Sequence, residues 1–350
     1  VSHPELRWQH RQALNLKKDK QMGLIQKLFA LLLLVVGVVA GALFYWANEP
    51  LIEAGGKPIE FTIQAGSGVR SAMRQVNQAG VPAEPLLLEV LVRGSGRANR
   101  IKAGSYRLAA GSSPLALLQM LVRGDTIQES ITIIEGWTFA QMRALLSKHE
   151  GLKKDAQSLE DTQLLARLGA DYPYAEGLFY PDTYKFSRGS SDLQIFEQAH
   201  GRMKKMLDEE WAKRVEDLPY KTPYEALIMA SIIEKETGTP SERDRIAAVF
   251  VNRLKRGMLL QTDPTVIYGM GANFDGNIRK QDLLTDTPYN TYKRAGLPPS
   301  PIALPGRAAL QAALNPAKTN DLYFVARGDG TSQFSENLSD HNKAVNQYQR

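Results

Sequence analysis

Two carboxylates separated by one lysine close an apolar run: Ala226–Ile233 leads directly into Glu234, Lys235, Glu236 and Thr237. The run opens at Thr222-Pro223-Tyr224-Glu225. Thr222 suits the N-cap, Pro223 the first helical position and Glu225 the third, completing a capping box. Gly238 and Pro240 are expected to end the helix. A helix apolar on every face is a buried one. A carboxylate in its last turn faces the negative end of the macrodipole, and partial burial further disfavours its charged form. Both effects raise its pKa and suit a general acid working near neutral pH. Glu234 and Glu236 lie about 200° apart around the axis, so they cannot serve one point. Glu236 shares a face with Met229, Ile232 and Ile233 and stands nearest the break. Glu234 shares one with Leu227, Ala230 and Ser231. The geometry leans to Glu236 and leaves Glu234 open. A structural role competes: a solvated or ion-paired helix end, with Lys235 and the Arg243/Arg245 region as partners.

Downstream, Ser241–Asp244 is expected to cap a second amphipathic helix with Ile246, Val249, Phe250 and Leu254 inward. Asp263-Pro264 reads as a turn. Rings, amides and carboxylates then accumulate in segments rich in Pro, Gly and Asn. Sugar sites use rings for stacking and amides for hydroxyls, so Tyr184, Gln261, Asp263, Asn290 and Tyr292 are candidates for a cleft around the glutamate. Other motifs fail. Gly269-Met270-Gly271 lacks the third glycine and the strand–helix context of a dinucleotide loop. Ser231 and Lys235 stand one helical turn apart, but a nucleophile inside a continuous buried helix has no oxyanion hole beside it.

The 350 residues suggest about two domains, and 43% hydrophobic with 23% charged residues is ordinary for a folded chain. Cysteine is absent, which removes disulfides, thiol nucleophiles and cysteine-ligated metals together. Five histidines (His3, His10, His149, His200 and His341) show no metal-site spacing. The net charge is +6, but Arg7, Arg11, Lys17, Lys18, Lys20 and Lys27 outweigh Glu5 and Asp19 within the first 27 residues. Little excess is left for the remainder, so a nucleic-acid partner is not expected.

Leu28–Asn48 carries no formal charge and at helical rise spans roughly 30 Å, the thickness of a hydrocarbon core. Tyr45 and Trp46 sit at its end, where an aromatic belt would lie. Basic residues precede it, and Glu49 and Glu53 follow. The positive-inside rule puts residues 1–27 in the cytoplasm and everything beyond 50 outside. A cleaved signal peptide with Ala40-Gly41-Ala42 at its site is the alternative, opposed by the long leader and long apolar run.

After a polar link, one pattern occurs three times: a short strand, a glycine turn and an amphipathic helix. The glycines are Gly66, Gly111 and Gly136. Six residues beyond them come Ala72, Leu117 and Met142; ten beyond come Val76, Leu121 and Leu146. Three loose copies do not make a solenoid. They suggest small α+β modules resembling LysM domains, with a ligand-free spacer as the alternative. The predicted class is α+β: a cytoplasmic tail (1–27), a transmembrane helix (28–48), a LysM-like domain (58–150) and a mixed α+β catalytic domain (160–350) around a central buried helix.

The segments EGLFYPDTY (176–184), MASIIEKET (229–237), ERDRIAAVFVNRL (242–254), LQTDPTVIYG (260–269), YNTY (289–292), GLPPSPI (296–302) and NPAKT (315–319) together resemble the endolytic murein transglycosylases, the YceG-like family. The resemblance runs from about residue 58 to the end. It implies a single-pass protein of the bacterial inner membrane with a periplasmic catalytic domain behind a LysM-like module. It also implies cleavage of the β-1,4 bond between N-acetylmuramic acid and N-acetylglucosamine in nascent glycan strands, leaving 1,6-anhydro ends. The family's catalytic glutamate falls on Glu236, peptidoglycan synthases are the implied partners, and no metal or cofactor is required. A water-using muramidase, with Asp263 or Asp182 as second carboxylate, and an anchored glycan-binding scaffold are the alternatives.

Overall fold

A computed structural model describes the backbone of residues 4–236 and 239–349 and the side chains of 26–236 and 239–349. The side chains of the basic residues up to Lys20, and the expected stop at Gly238, lie outside the described residues. The chain forms two compact units, residues 1–127 and 128–350.

In the first unit, helix α1 (Pro4–Asn48) contains Gln26–Asn48, a 23-residue stretch long and apolar enough to cross a membrane. Its leucines and valines from Leu28 to Val39 are exposed. Behind it follow β1 (Ile59–Ile63), α2 (Val69–Gln78), α3 (Pro85–Gly94), β2 (Gly104–Leu108) and α4 (Pro114–Arg123). β1 and β2 pair antiparallel, setting Phe61 opposite Tyr106 with their rings stacked at 5.5 Å. Alternation along β1 buries Phe61 and Ile63 against Met73 and Val76 of α2 and Leu117, Leu118 and Leu121 of α4. Ser113 caps α4 through the Ala116 N–H, and Gly124 ends it in the left-handed conformation.

The second unit opens with β3 (Gln128–Thr132), α5 (Phe139–Lys148), β4 (Leu152–Lys153), α6 (Asp161–Arg167), β5 (Thr183–Ser187), β6 (Ser190–Ser191) and α7 (Leu193–Ala212). It continues through α8 (Pro223–Glu236), α9 (Arg243–Lys255), α10 (Asp263–Met270), α11 (Lys280–Leu284) and α12 (Arg307–Leu314) to β7 (Tyr323–Ala326), β8 (Ser332–Ser335) and α13 (Leu338–Tyr348). The sheets are two-stranded: β3 with β5, β4 with β6, and β7 with β8. Helices α7, α8, α9 and α12 pack together, and Ala226–Ile233 of α8 are all buried.

All six residues matched at the two repeat positions are buried, as amphipathic helices require. The third copy corrects the domain boundary. β3 pairs with β5, setting Ile131 opposite Tyr184, and α5 packs Phe139 on Phe179 at 4.9 Å. The strand–helix pair of 131–146 therefore belongs with the second unit, and the division falls at 127/128 rather than near 150–160.

Candidate active site

Helix α8 starts as its residues dictate. The Thr222 hydroxyl accepts the Glu225 N–H at 3.2 Å, while the Glu225 carboxylate reaches back to the Lys221 N–H rather than that of Thr222. Beyond this turn the helix is apolar and buried until Glu234, so its end delivers two carboxylates to two different places. The Glu234 carboxylate accepts the Gly306 N–H at 2.9 Å. The Glu236 carboxylate accepts the Thr262 hydroxyl and lines a cavity of about 710 Å³.

That cavity is walled by α8, α9, the start of α10, β7 and α13, with Arg253, Gln261, Asp263, Tyr292 and Tyr323 among its residues. Burial raises the Glu236 pKa above the ordinary carboxylate value; the neighbouring Asp263 charge pushes the same way, and the Thr262 hydroxyl and Arg253 oppose it. The Glu234 pKa is raised too, chiefly by burial, against the Gly306 N–H. A raised pKa alone does not separate the two glutamates. Their surroundings do: Glu234 accepts a backbone N–H, whereas Glu236 accepts a side-chain hydroxyl and lines the cavity.

Asp263 and Tyr292 act as a pair, the phenol donating to the carboxylate at 2.6 Å. Asp263-Pro264 is a helix start rather than a turn: Pro264 occupies the opening turn of α10, where its missing N–H costs nothing. Gln261 holds a positive φ of 52°, a strained conformation fixed by its N–H donating to the Thr291 carbonyl at 3.1 Å.

Two candidates lie elsewhere. Tyr184 is buried in the core on β5, and its hydroxyl donates to the Tyr180 carbonyl at 2.5 Å. Asn290 is fully buried. Its amide nitrogen donates to the carbonyls of Thr285 at 2.6 Å and Leu283 at 3.1 Å, and its oxygen accepts the Tyr292 N–H at 2.9 Å. Both side chains spend their polar atoms on backbone, so Asn290 positions Tyr292 instead of facing the cavity.

The YceG-like family model matches residues 61–347. This chain belongs to the YceG-like family. An endolytic murein transglycosylase of Bacillus subtilis is 32% identical over 330 residues, covering 89% of this chain and 91% of that one. The endolytic murein transglycosylase of Streptococcus pneumoniae strain D39 is 28% identical over 323 residues, 83% of this chain but only 58% of the longer relative. The crystal structure of a YceG-like protein from Listeria monocytogenes superposes with a TM-score of 0.55 at 30% identity, covering 82% of this chain and 98% of that one.

Within this YceG-like site, Arg253 and the threonines escaped sequence reasoning. Arg253 lies on the inner face of α9, four residues from Ile246's neighbour Val249, and reads as one more helical charge. It is buried, donating to the carbonyls of Leu322 at 2.7 Å and Leu260 at 2.8 Å, with its guanidinium 5.0 Å from the Tyr323 ring centre. Thr262, Thr265 and Thr291 form a buried hydroxyl cluster: Thr262 N–H meets Thr291 Oγ1 at 3.1 Å, and the Thr265 and Thr291 hydroxyls meet at 2.8 Å. The only sequence signal was the spacing of Thr262 and Thr265 around Asp263-Pro264. Ser231 and Lys235 do not form a dyad. Ser231 donates to the Ile228 carbonyl at 2.7 Å and accepts the Ile302 N–H at 2.9 Å, whereas Lys235 donates to the Gly136 carbonyl at 3.3 Å. Among the described residues, no group of three or more His, Asp or Glu side chains could hold a metal ion.

Proposed function

We propose that this protein is a lytic transglycosylase of murein, in which Glu236 serves first as general acid and then as general base. The observation that carries the reading is the placement of Glu236: a carboxyl group biased toward its acid form by burial, one oxygen held by Thr262, on the wall of an open cavity. The relatives' name, endolytic murein transglycosylase, supports the substrate class.

The proton inventory closes on one side chain. Protonated Glu236 gives its proton to the oxygen bridging N-acetylmuramic acid C1 and N-acetylglucosamine C4, and the C1–O bond breaks. The muramic C6 oxygen bonds to C1, and its proton passes to the Glu236 carboxylate. The enzyme regains its starting form, no water is consumed, and the new end is a 1,6-anhydro sugar. A hydrolytic glycosidase instead needs a second carboxylate, roughly 5–9.5 Å from the first. Asp263 lines the same cavity, which favours a water-using muramidase as the second reading.

In the same proposal, Gln26–Asn48 anchors the chain in the bacterial inner membrane with its N-terminus cytoplasmic and the catalytic unit periplasmic. The strand–helix build of the first unit serves as a LysM-like glycan-binding module, and peptidoglycan synthases are the partners that supply nascent strands. The deciding test digests purified peptidoglycan with the full chain in detergent and weighs the new sugar ends. Anhydro ends, lighter than reducing ends by one water and absent with Glu236→Gln, are expected. Reducing ends would establish the muramidase, and glycan binding without new ends would establish a scaffold.

A further inference from the structure

A second, larger cavity of about 1040 Å³ lies in the same unit and takes no part in the chemistry at Glu236. The two cavities are neighbours along two helix ends. Lys235 lines the second and Glu236 the first; Pro264 lines the second and Asp263 the first. The two cavities thus adjoin at the last residues of α8 and the first of α10.

The second cavity is more apolar than the first, with Ile267, Phe274 and Ile302 in its wall. Tyr268 and Tyr289 add two rings set edge to face, their centres 4.9 Å apart. One acid stands among them. Glu176 is 6% exposed; one carboxyl oxygen accepts the Phe139 N–H at 2.9 Å and the other the Tyr268 hydroxyl at 3.1 Å. Among the described residues no cation pairs with it. Burial, against those two hydrogen bonds, pushes its pKa up to about 7. In its acid form the group offers one further O–H. At the rim, Gln141 accepts the Thr138 N–H with its amide oxygen at 2.8 Å, and among the described residues no partner holds its amide nitrogen.

Apolar walls, ring faces and a neutral acid together match an acetamido sugar: a methyl group to bury, a pyranose face to stack and a carbonyl to receive the acid's hydrogen bond. Resting on the transglycosylase reading, we infer that this cavity is a saccharide subsite beside the scissile bond, selecting an N-acetylated hexosamine through Glu176 and the Tyr268/Tyr289 pair. Ala272 and Ala140 line the cavity and are exposed, which opens it to solvent.

The test measures binding of chitohexaose, and of its fully de-N-acetylated counterpart, to the full Glu236→Gln chain in detergent. The parent is expected to prefer the N-acetylated probe. Ala272→Trp, which fills the rim at an exposed position, is expected to weaken chitohexaose binding at least tenfold. Glu176→Leu is expected to abolish the preference between the two probes. Ala272→Trp binding chitohexaose as tightly as the parent, or a folded Glu176→Leu keeping the full preference, overturns the subsite. So does a parent that ignores chitohexaose while the wild-type chain still cleaves murein. A wild-type chain that makes no new ends at all condemns the underlying reading instead, which keeps the two failures apart.

Discussion

The two units begin from the same pattern of short strand, glycine turn and amphipathic helix, yet they treat polar groups differently. Among the described residues, only Glu89 and Ser105 are buried polar side chains in the first unit, against twelve in the second. Glu89 keeps its charge through Arg70 and Arg93, at 3.1 and 3.0 Å, which hold its pKa below the ordinary value. In the second unit, Glu176, Glu234 and Glu236 are all pushed the other way by burial. Burying a polar group without a partner costs about 1–3 kcal/mol, so a fold keeps such groups only where a network satisfies them. The first unit is a core with a charged skin. The second carries its reactive groups inside the packing.

The largest expected effect separates the two glutamates of the α8 end. Glu236→Gln keeps the shape and removes the transferable proton, so turnover should fall by about 10²–10⁴, the usual contribution of a general acid–base group. Glu234→Gln should keep most of its turnover, because the Gly306 N–H that it accepts can be accepted by the amide oxygen. Release of anhydro sugars under single-turnover conditions measures both. The opposite ranking would move the catalytic role to Glu234.

A core deletion in the first unit should do the reverse. Leu121 is fully buried between α4 and the β1–β2 pair, and Leu121→Ala should cost about 2–5 kcal/mol of stability through lost transfer energy and a cavity. The rate per folded molecule should stay unchanged. Denaturant melts paired with activity titrations check this, and a fall in the rate per folded chain would break the contrast between a packing unit and a reactive one.

Glu176 offers a test through pH. Its pKa of about 7 stands above the ordinary 4.5, so the native state holds a proton that the unfolded chain releases. That contribution to stability is complete below about pH 4.5 and declines as pH rises toward 7, by roughly 3 kcal/mol in all. Glu176→Gln has no proton to lose and should flatten this part of the curve. The groups bearing on Glu176 are the Phe139 N–H, the Tyr268 hydroxyl, the Gly177 N–H and the more distant Asp161 charge. Thermal melts of both chains between pH 4.5 and 8 decide it, and parallel curves would show that Glu176 stays charged in the fold.

Legibility in the sequence followed the same division. Periodic apolar residues announced α2, α4 and α5 because helix burial repeats at fixed spacing. Helix α8 and its two glutamates were legible because capping residues and an unbroken apolar run carry local signals. The partner of the third strand was not legible: β3 pairs with β5 across about fifty intervening residues, and no local feature of Gln128–Thr132 names Thr183–Ser187. Asn290 and Tyr184 misled for a related reason. An amide and a phenol in an irregular segment look equally suited to a sugar hydroxyl or a backbone carbonyl, and only the folded loop assigns them to the latter. Arg253 was hidden because its partners, the carbonyls of Leu260 and Leu322, come from backbone and leave no mark in residue type.

The smallest expected effect comes from the first unit's surface. Arg107 faces Glu60 across the β1–β2 pair, and its Nε and Nη2 both donate to one carboxylate oxygen, at 2.9 and 2.7 Å. The geometry is as good as that of many buried pairs, but the two side chains are 59% and 47% exposed. Water already solvates both charges, so the pair gains little over its separated partners and spends side-chain entropy to form. Arg107→Ala should therefore cost less than about 1 kcal/mol, and the cost should shrink further in high salt as the charges are screened. Arg253 in the second unit has comparable hydrogen-bond lengths and no such freedom, since its carbonyl partners are left unsatisfied once it is removed. Urea melts of Arg107→Ala at low and high salt test the argument at its weakest point: a loss of several kcal/mol that resists salt would mean that the first unit, too, depends on polar groups held within its packing.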